Sequence, residues 1–396
     1  MAAPTDLAAM QDDFHRISQL MERGILTERD TGKEYFTGYS YKTLYDWDQY
    51  FEAVVQLYLG WGTRYIQNAV TIFLDHQEGT GFIVRCIHPG LEEERSEMVK
   101  PFLAQNALLV YKHDRDLSWL TDDYYRRMQR YLEYWLTEKD EDGDGLSTWD
   151  SAPHSGMDDQ IERIGAWKSY SCSGVDLNAF LARECDAFAL VAELTGHPED
   201  APRFRDLGKA KRRLIREELW DETDGFFYDR RAGGGEPIRV KSSAAFAALW
   251  CGAATPAQTR RMVYEHLLNP AEFWRAFPVP SYAASEPGYR EERAEADVGC
   301  NWRAQTWMPV NYYIMHGLMA YGYPDVARAV ALRSAEVVRT VGDREYYDTD
   351  SVAGRGLDPF WGWSLLAYFM PLECDLSYDP TRIAVEPRDA FRLRVL

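Results

Sequence analysis

Apolar residues recur at helical spacing along most of the chain. They define twelve segments, at about 6–21, 48–59, 63–76, 97–112, 120–138, 175–196, 202–220, 240–252, 255–268, 307–321, 324–340 and 361–370. Start signals support several of them: Asp122 and Asp123 open the fifth, and Pro324-Asp325 stands at the head of the eleventh. The sixth, VDLNAFLARECDAFALVAELTG, is apolar over most of its surface, as a helix packed on several sides would be.

The connections alternate. Short ones close helical hairpins, and long ones of about 19 to 38 residues follow the odd-numbered helices, near 22–47, 77–96, 140–174, 221–239, 269–306 and 341–360. Six hairpins whose long loops all emerge at the same helix ends predict an all-α fold, a double ring or (α/α)6 barrel. We expect a single catalytic domain over 1–396, because no linker rich in Pro, Gly or Ser is long enough to divide it. An open helical solenoid is the alternative, but the hairpins share little sequence. Three loops repeat one flavour, Gly before an apolar residue after an acidic cluster: QEGTGFIVR (77–85), EDGDGLSTW (141–149) and DETDGFFYD (221–229). A tight turn leading to a short extended stretch explains it. The last segment, TRIAVEPRDAFRLRVL, predicts a short C-terminal β segment.

Composition narrows the function. The formal charge of −19 argues against a nucleic-acid partner, since a phosphate backbone is bound by an excess of Lys and Arg. The 13 Trp and 25 Tyr offer apolar faces with polar edges, a surface suited to sugars as well as to a helical core. Six scattered cysteines without CxxC spacing read as thiols in a reducing compartment. MAAPTDLAAM has no basic start or apolar core, and no run approaches ~20 apolar residues, so the expectation is a cytoplasmic protein without a membrane span.

The connections carry the candidate chemistry. YSYKTLYDWDQYFE (39–52) sets Tyr39, Tyr41 and Tyr45 before Asp46, Trp47 and Asp48 at a helix start. Asp46 there has a structural excuse, while Asp48 beside Trp47 suits a sugar hydroxyl. KPFLAQ (100–105) offers Gln105. Asp140, Asp142, Asp144 and Gly145 imitate a calcium loop, but Ser151 stands where the bidentate Glu belongs, so a turn held by side-chain–backbone bonds is expected and no metal. CNWRAQTWMPVNYY (300–313) brings Trp302, Arg303, Gln305, Trp307 and Asn311 to a helix mouth. The polar stretch TWDSAPHSGMDDQIE (148–162) supplies Asp158, and REYYDTDSVAG (344–354) supplies Glu345 ahead of Tyr346 and Tyr347. Two loop carboxylates among rings are what glycoside hydrolysis requires, one to protonate the leaving group and one to activate water or attack carbon. Nucleophile-elbow, zinc and phosphate-loop patterns are absent, and no cofactor is expected.

With these segments in view, SGMDDQ, KPFLAQ, RVKSSAAF, NWRAQTWMPVNY, EYYDTDSVAG and FWGWSLLAYF resemble glycoside hydrolase family 63 and its trehalase relatives, from about Tyr39 to Phe369. Within that family the chain looks most like compact bacterial enzymes that hydrolyse mannosylglycerate or glucosylglycerate. The resemblance implies an inverting mechanism in an (α/α)6 barrel, with Asp158 as general acid and Glu345 as general base. It implies substrate binding by Trp47, Asp48, Gln105, Trp302, Arg303 and Trp307; Tyr41, Gly156, Gln305, Tyr347, Trp361 and Trp363 are further candidates for substrate binding. The expected partner is a small-molecule sugar, with neither nucleic acid nor membrane.

Three departures stand out. His154 replaces the usual Glu before the SG-x-D motif, Asp159 the frequent Asn after the acid, and Tyr346-Tyr347-Asp348-Thr349 the family's Asn-Tyr-Asn-Pro. An anionic aglycone such as glycerate needs a cation or several donors, and Lys100, Arg163, Arg303 and Arg355 are all in or beside long loops. Two rivals remain: a sugar epimerase using His76, His88 or His154, and a catalytically silent sugar-binding protein on the same scaffold.

Overall fold

The computed structural model describes residues 7–88, 97–165, 171–290 and 301–385. Nine of the expected helices are present: Leu7–Met21, Asp46–Tyr58, Arg64–Asp75, Leu103–Asp114, Asp122–Thr137, Val175–Leu194, Ala201–Glu218, Met308–Ala320 and Pro324–Val341. The fourth starts at Leu103 rather than near 97, because Pro101 disfavours helical backbone at Lys100.

The other three expected helices are irregular. The segment expected at 240–252 is a 3-10 turn, Ser243–Phe246, running into Ala247–Trp250. The ninth opens as a regular helix, Pro256–Arg261, with a capping box between Thr255 and Gln258, then widens into π turns over Met262–Leu267. The twelfth is a 3-10 run, Trp363–Tyr368, followed by Met370–Leu376, whose first turn contains Pro371.

Short antiparallel strands occupy the long connections, which apolar periodicity alone does not reveal. The three repeated loops behave as expected: Gly81, Gly145 and Gly225 all take positive φ, and Phe226–Phe227 extends to pair with Trp220–Asp221. Residues 381–385 hold no strand, and the rest of the expected C-terminal β segment, 386–396, lies outside the described residues.

Two compact units emerge. The first comprises Met1–Tyr134, Arg183–Gly208 and Phe360–Leu396, the second Trp135–Ala182 and Lys209–Pro359. At the centre of the first is the helix Asp46–Tyr58, buried at every position and packed on Leu103–Asp114 and Trp363–Tyr368. Phe369 lies between Phe14 and Tyr58, stacked at 5.3 Å and 4.7 Å. Strand Leu44–Tyr45 leads directly into the central helix and pairs with Cys86–Ile87.

In the second unit, helix Met308–Ala320 is buried through Leu318 and packs on Pro324–Val341 and Ala247–Trp250. Beside its start runs a three-stranded ribbon. Gln305–Thr306 pairs with Tyr346–Asp348, which pairs in turn with Gly354–Arg355. No helix among the described residues is long and apolar enough to cross a membrane. Cys86, Cys172, Cys185, Cys251 and Cys374 are thiols, and Cys300 lies outside the described residues.

Gly317 marks a close helix contact within the second unit. A Cβ there would stand 2.9 Å from the Leu249 Cβ and 3.0 Å from the Trp250 nitrogen. Gly317→Ala is therefore expected to lower stability by about 1–3 kcal/mol, the usual cost of overpacking, despite alanine's higher helix propensity. Urea unfolding of wild type and variant checks this.

Candidate active site

In the second unit, Asp158 follows a short capped turn. Ser151 caps the helix Ala152–Ser155 by accepting from the His154 nitrogen, and Gly156, at φ 83°, ends it in the left-handed conformation. The Ser155 hydroxyl then accepts from the Met157 nitrogen at 3.1 Å. Gly156 thus aims the chain toward Asp158, which is half-buried.

The next residue is anchored by charge. Asp159 Oδ1 accepts from the Trp302 nitrogen at 2.7 Å, and its Oδ2 from Arg303 Nε at 3.2 Å. Arg303 also donates to the Asp159 carbonyl, to Glu162 Oε2 at 2.7 Å and to the Gly288 carbonyl. The Tyr282 ring, 5.4 Å away, covers the guanidinium. Burial holds the Asp159 carboxyl above its usual range, with the Trp302 nitrogen and Arg303 pulling against it. Gln160 adds a bond to the Trp302 carbonyl at 2.7 Å.

From Trp302 and Arg303 the chain enters the ribbon. Gln305 lies opposite Asp348 and Thr306 opposite Tyr347, so the residues clasping the acid loop are three steps from the strand that follows Glu345. Rings reinforce the link: Trp302 stacks on Trp307 at 3.7 Å, and Trp307 on Tyr346 at 4.3 Å. Glu345 is buried, and its Oε2 accepts from the Leu357 nitrogen at 3.0 Å. Gly356, at φ +68°, leaves the room: a Cβ there would run into the Glu345 side chain. Tyr347 is wholly buried, its hydroxyl donating to the Gly342 carbonyl and accepting from the Arg344 nitrogen.

In the first unit, Asp48 is buried and accepts from the Tyr39 hydroxyl at 2.7 Å. Around Tyr39 gather Tyr41, Tyr45, Phe360 and Trp363, with ring centroids 4.8–6.0 Å away. Trp47 meets Trp363 edge-on at 6.1 Å. Tyr41 is an exposed ring, at 43% of its full area. Trp361 donates to the Thr37 carbonyl at 2.8 Å. Asp46 takes the structural role: it accepts from the Trp47 and Lys100 nitrogens and pairs with the Lys100 ammonium at 3.3 Å. The Gln105 amide is engaged at both ends, donating to the Pro101 carbonyl and accepting from Arg183.

Burial, reinforced by Asp46, pushes the Asp48 carboxyl up to about 7. Glu52, one turn on, is pushed well above the carboxylate range by burial and by Asp48. Its Oε1 accepts from the Gly38 nitrogen at 2.8 Å, and a Cβ at Gly38 or Gly362 would stand 2.5 Å from that oxygen. The two loops carrying Tyr39 and Trp363 can approach only because both positions are glycine.

The departures noted in the sequence are all buried. His154 is fully buried between Trp135 and Trp149, and its Nδ1 lies 3.3 Å from Asp150. Burial opposes ionisation of Asp150, but His154 and Lys139 overcome it and draw its carboxyl down to about 2. Of the four cations considered for an anionic aglycone, Lys100, Arg163 and Arg303 are buried in ion pairs. The calcium-like turn is tied by protein groups: Asp140 accepts from the Gly145 nitrogen, Asp142 from the Gly233 nitrogen, and Asp144 pairs with Arg230 at 2.6 Å. The oxygens of those three carboxylates lie within 4.8 Å of one another, a spacing that the compensating donors account for.

Comparison with known proteins bears on this arrangement. The mannosylglycerate hydrolase MGH1-like glycoside hydrolase family matches residues 41–364. The chain belongs to that family. It is 31% identical over 199 residues to a mannosylglycerate hydrolase of Thermus thermophilus, a match covering 49% of this chain and 44% of that protein. Similarity to a mannosylglycerate hydrolase of Rubrobacter radiotolerans is 28% over 193 residues, covering 48% and 41%. The matches thus span less than half the length of these relatives. The structure of a family 63 mannosylglycerate hydrolase, also from Thermus thermophilus and in complex with Tris and D-glycerate, superposes with a TM-score of 0.71 at 19% identity, covering 90% of this chain and 99% of that one. A neutral trehalase from Saccharomyces cerevisiae gives 0.66 at 18% identity, covering 88% and 76%. The fold is therefore that of family 63 and trehalase structures.

Sequence reasoning missed several residues around these candidates. In the second unit, Glu162, Gln160, Tyr282 and the Gly288 carbonyl complete the clasp on the loop of Asp158; in the first, Glu52 lies one helical turn beyond Asp48. Glu162 and Gln160 were in the stretch that drew notice, but nothing local reveals that a guanidinium 141 positions away faces Glu162.

Two outcomes are expected. Arg303→Met leaves Asp159 buried without its cation and should cost about 3–5 kcal/mol; adding Asp159→Asn should recover part of that loss in a double-mutant cycle read by denaturant unfolding. Asp48 holds a proton in the folded protein up to about pH 7, whereas in the unfolded chain it ionises near ~4. Its contribution to stability is thus complete below about pH 4 and declines as pH rises to about 7, by up to about 1.4 kcal/mol per pH unit. Glu52 acts in the same direction, so Asp48→Asn should flatten this slope by about one proton without abolishing it, as followed by unfolding at several pH values.

Proposed function

We propose that this glycoside hydrolase is an inverting α-glycosidase on a single (α/α)6 catalytic domain, with Asp158 as general acid and Glu345 as general base. Its substrate is a small soluble α-glucoside or α-mannoside with an anionic aglycone, most simply glucosylglycerate or mannosylglycerate. Gln305 and the Trp302–Trp307 pair serve as sugar-binding groups in the second unit, and Tyr41, Trp47, Asp48, Trp361 and Trp363 in the first. Gln105, Gly156, Arg303 and Tyr347 serve by positioning the others.

One observation carries the reading. The loop holding Asp158 and the strand following Glu345 are joined, inside one compact unit, through Arg303, Trp302 and the pairing of Gln305–Thr306 with Tyr346–Asp348. Such a link holds two carboxyl groups at a set separation, and inversion needs about 6.5–9.5 Å so that one water fits between base and anomeric carbon. In the reaction the Asp158 proton passes to the glycosidic oxygen as the bond to the anomeric carbon breaks. Glu345 takes a proton from the attacking water, and the hexose leaves with inverted configuration. The names of the relatives support the substrate class. Two of the three histidines considered for an epimerase are otherwise engaged: His154 is sealed between two indoles, and the His76 Nδ1 is held 2.9 Å from the Ile72 carbonyl.

Asp158→Asn and Glu345→Gln are each expected to lower kcat by at least about 10³-fold, since both proton transfers are lost with them, while circular dichroism stays unchanged. Proton NMR of the first-formed hexose should show the β anomer from an α-linked substrate. An α anomer, or full turnover by either purified variant, contradicts the assignment.

A further inference from the structure

A hairpin turn and a helix end of the first unit bring together three side chains that the hydrolase reading does not use. Strands Ile25–Thr27 and Glu34–Phe36 pair as a hairpin, and the turn between them carries Glu28 and Asp30. Helix Arg64–Asp75 packs on the second strand. The Asn68 amide donates to the Glu34 carbonyl at 2.7 Å, and Lys33 pairs with Asp75 at 2.5 Å, so the end of the helix is fixed to the turn. His76 closes that helix. A ligand atom from each of Glu28, Asp30 and His76 lies within 4.8 Å of the other two.

The orientation of the imidazole decides what this cluster can hold. His76 Nδ1 lies 2.9 Å from the Ile72 carbonyl, and a carbonyl oxygen only accepts, so Nδ1 carries the hydrogen. In the neutral ring Nε2 then keeps its lone pair. That nitrogen stands 3.9 Å from Asp30 Oδ2, beyond hydrogen-bond distance. A ring N–H given to a backbone carbonyl is the arrangement that orients a metal-bound histidine. Glu28 is buried and equally fixed: its Oε2 accepts from the Thr31 nitrogen and hydroxyl, its Oε1 from the Asp30 nitrogen. A carboxylate has about four acceptor positions, and the one left lies on Oε1.

The local charge points the same way. Two carboxylates meet the C-terminal end of a helix, whose last carbonyls carry partial negative charge. Lys33 is spent on Asp75, and no Lys or Arg among the described residues forms an ion pair with Glu28 or Asp30. The Asp140–Asp144 turn differs in this respect, since Arg230 pairs with Asp144 there.

We infer that Glu28, Asp30 and His76 form a binding site for one divalent transition-metal ion, zinc by preference, with water in the fourth position. Magnesium and calcium take oxygen ligands, whereas an imidazole joined to carboxylates suits zinc. Zinc bonds of ~2.0–2.1 Å set tetrahedral ligand atoms ~3.3 Å apart. Asp30, with 77% of its side chain exposed, is free to swing inward by the remaining distance. The bound ion cross-links the hairpin turn to the helix end. None of its ligands is assigned to hydrolysis, so the site stands or falls apart from that reading.

Titration calorimetry of ZnCl2 into chelator-treated and dialysed protein tests it, on wild type, Asp30→Asn, His76→Gln and His197→Gln. The last is a control, a histidine that also lies beside two acids, Asp122 and Glu199. Wild type should take up zinc at this site, Asp30→Asn about tenfold more weakly and His76→Gln about 100-fold more weakly, since even an outer partner of a metal ligand is worth about 10–100-fold. His197→Gln should bind like wild type, and MgCl2 should not displace the zinc. An ion held by the folded state alone raises the melting temperature, so saturating zinc should do so in wild type and not in His76→Gln. No zinc uptake by wild type overturns the assignment. So does equal affinity with an equal melting shift in wild type and His76→Gln, or a loss that follows His197→Gln instead.

Discussion

Arg303 is a guanidinium with no exposed surface, set among Asp159, Glu162 and two backbone carbonyls. An arginine can be taken out of water only where its donors are met by acceptors and its charge by a carboxylate. That requirement runs in both directions. It fixes where the loop after Gly156 must return, and it fixes the segment Asn301–Gln305 against that loop. The loop after Gly156 and the segment leading into the ribbon are thereby held together by one buried ion pair. The Tyr282 ring covers the guanidinium, and Trp302 stacks on Trp307 and Trp307 on Tyr346 beside it in sequence.

The first unit meets a related difficulty differently. Its central helix begins with Asp46 and Asp48 and carries Glu52 one turn later, all three buried. Among the described residues only Asp46 of the three pairs with a cation, Lys100. Asp48 and Glu52 are met by a tyrosine hydroxyl and a backbone nitrogen, and burial raises both above the ordinary carboxylate range. A helix of this kind is tolerated because its acids can stay neutral, and the two glycines at 38 and 362 let loop backbones close over Glu52. Buried groups of this type, poised near neutrality, are found where ligands are bound more often than in inert cores.

Legibility in the sequence followed the range of the forces involved. Helices were read from apolar periodicity to within a few residues wherever they were long and regular, as in Asp122–Thr137 and Pro324–Val341. The reading failed where periodicity continued but the backbone did not, at Ser243–Phe246, Met262–Leu267 and Trp363–Tyr368. A 3-10 or π turn spends the same apolar residues at a different angle, and only packing selects it. The short strands escaped for the opposite reason: two or three residues are too few to show a period of two.

What the chain determined by itself was local: where helices run, that Gly81, Gly145 and Gly225 turn the backbone, and which stretches are too polar to be struts. The resemblance of its motifs named the family from those same stretches. Only the tertiary structure decided how the charges are spent. Arg303, Arg163 and Lys100 look like ligands for an anion when read along the chain, and each proves to be held by a carboxylate brought from another segment: Asp159, Asp176 with Asp229, and Asp46. Pairing between residues 13 to 144 positions apart leaves no trace in spacing, because Coulomb's law acts through space and not along the chain.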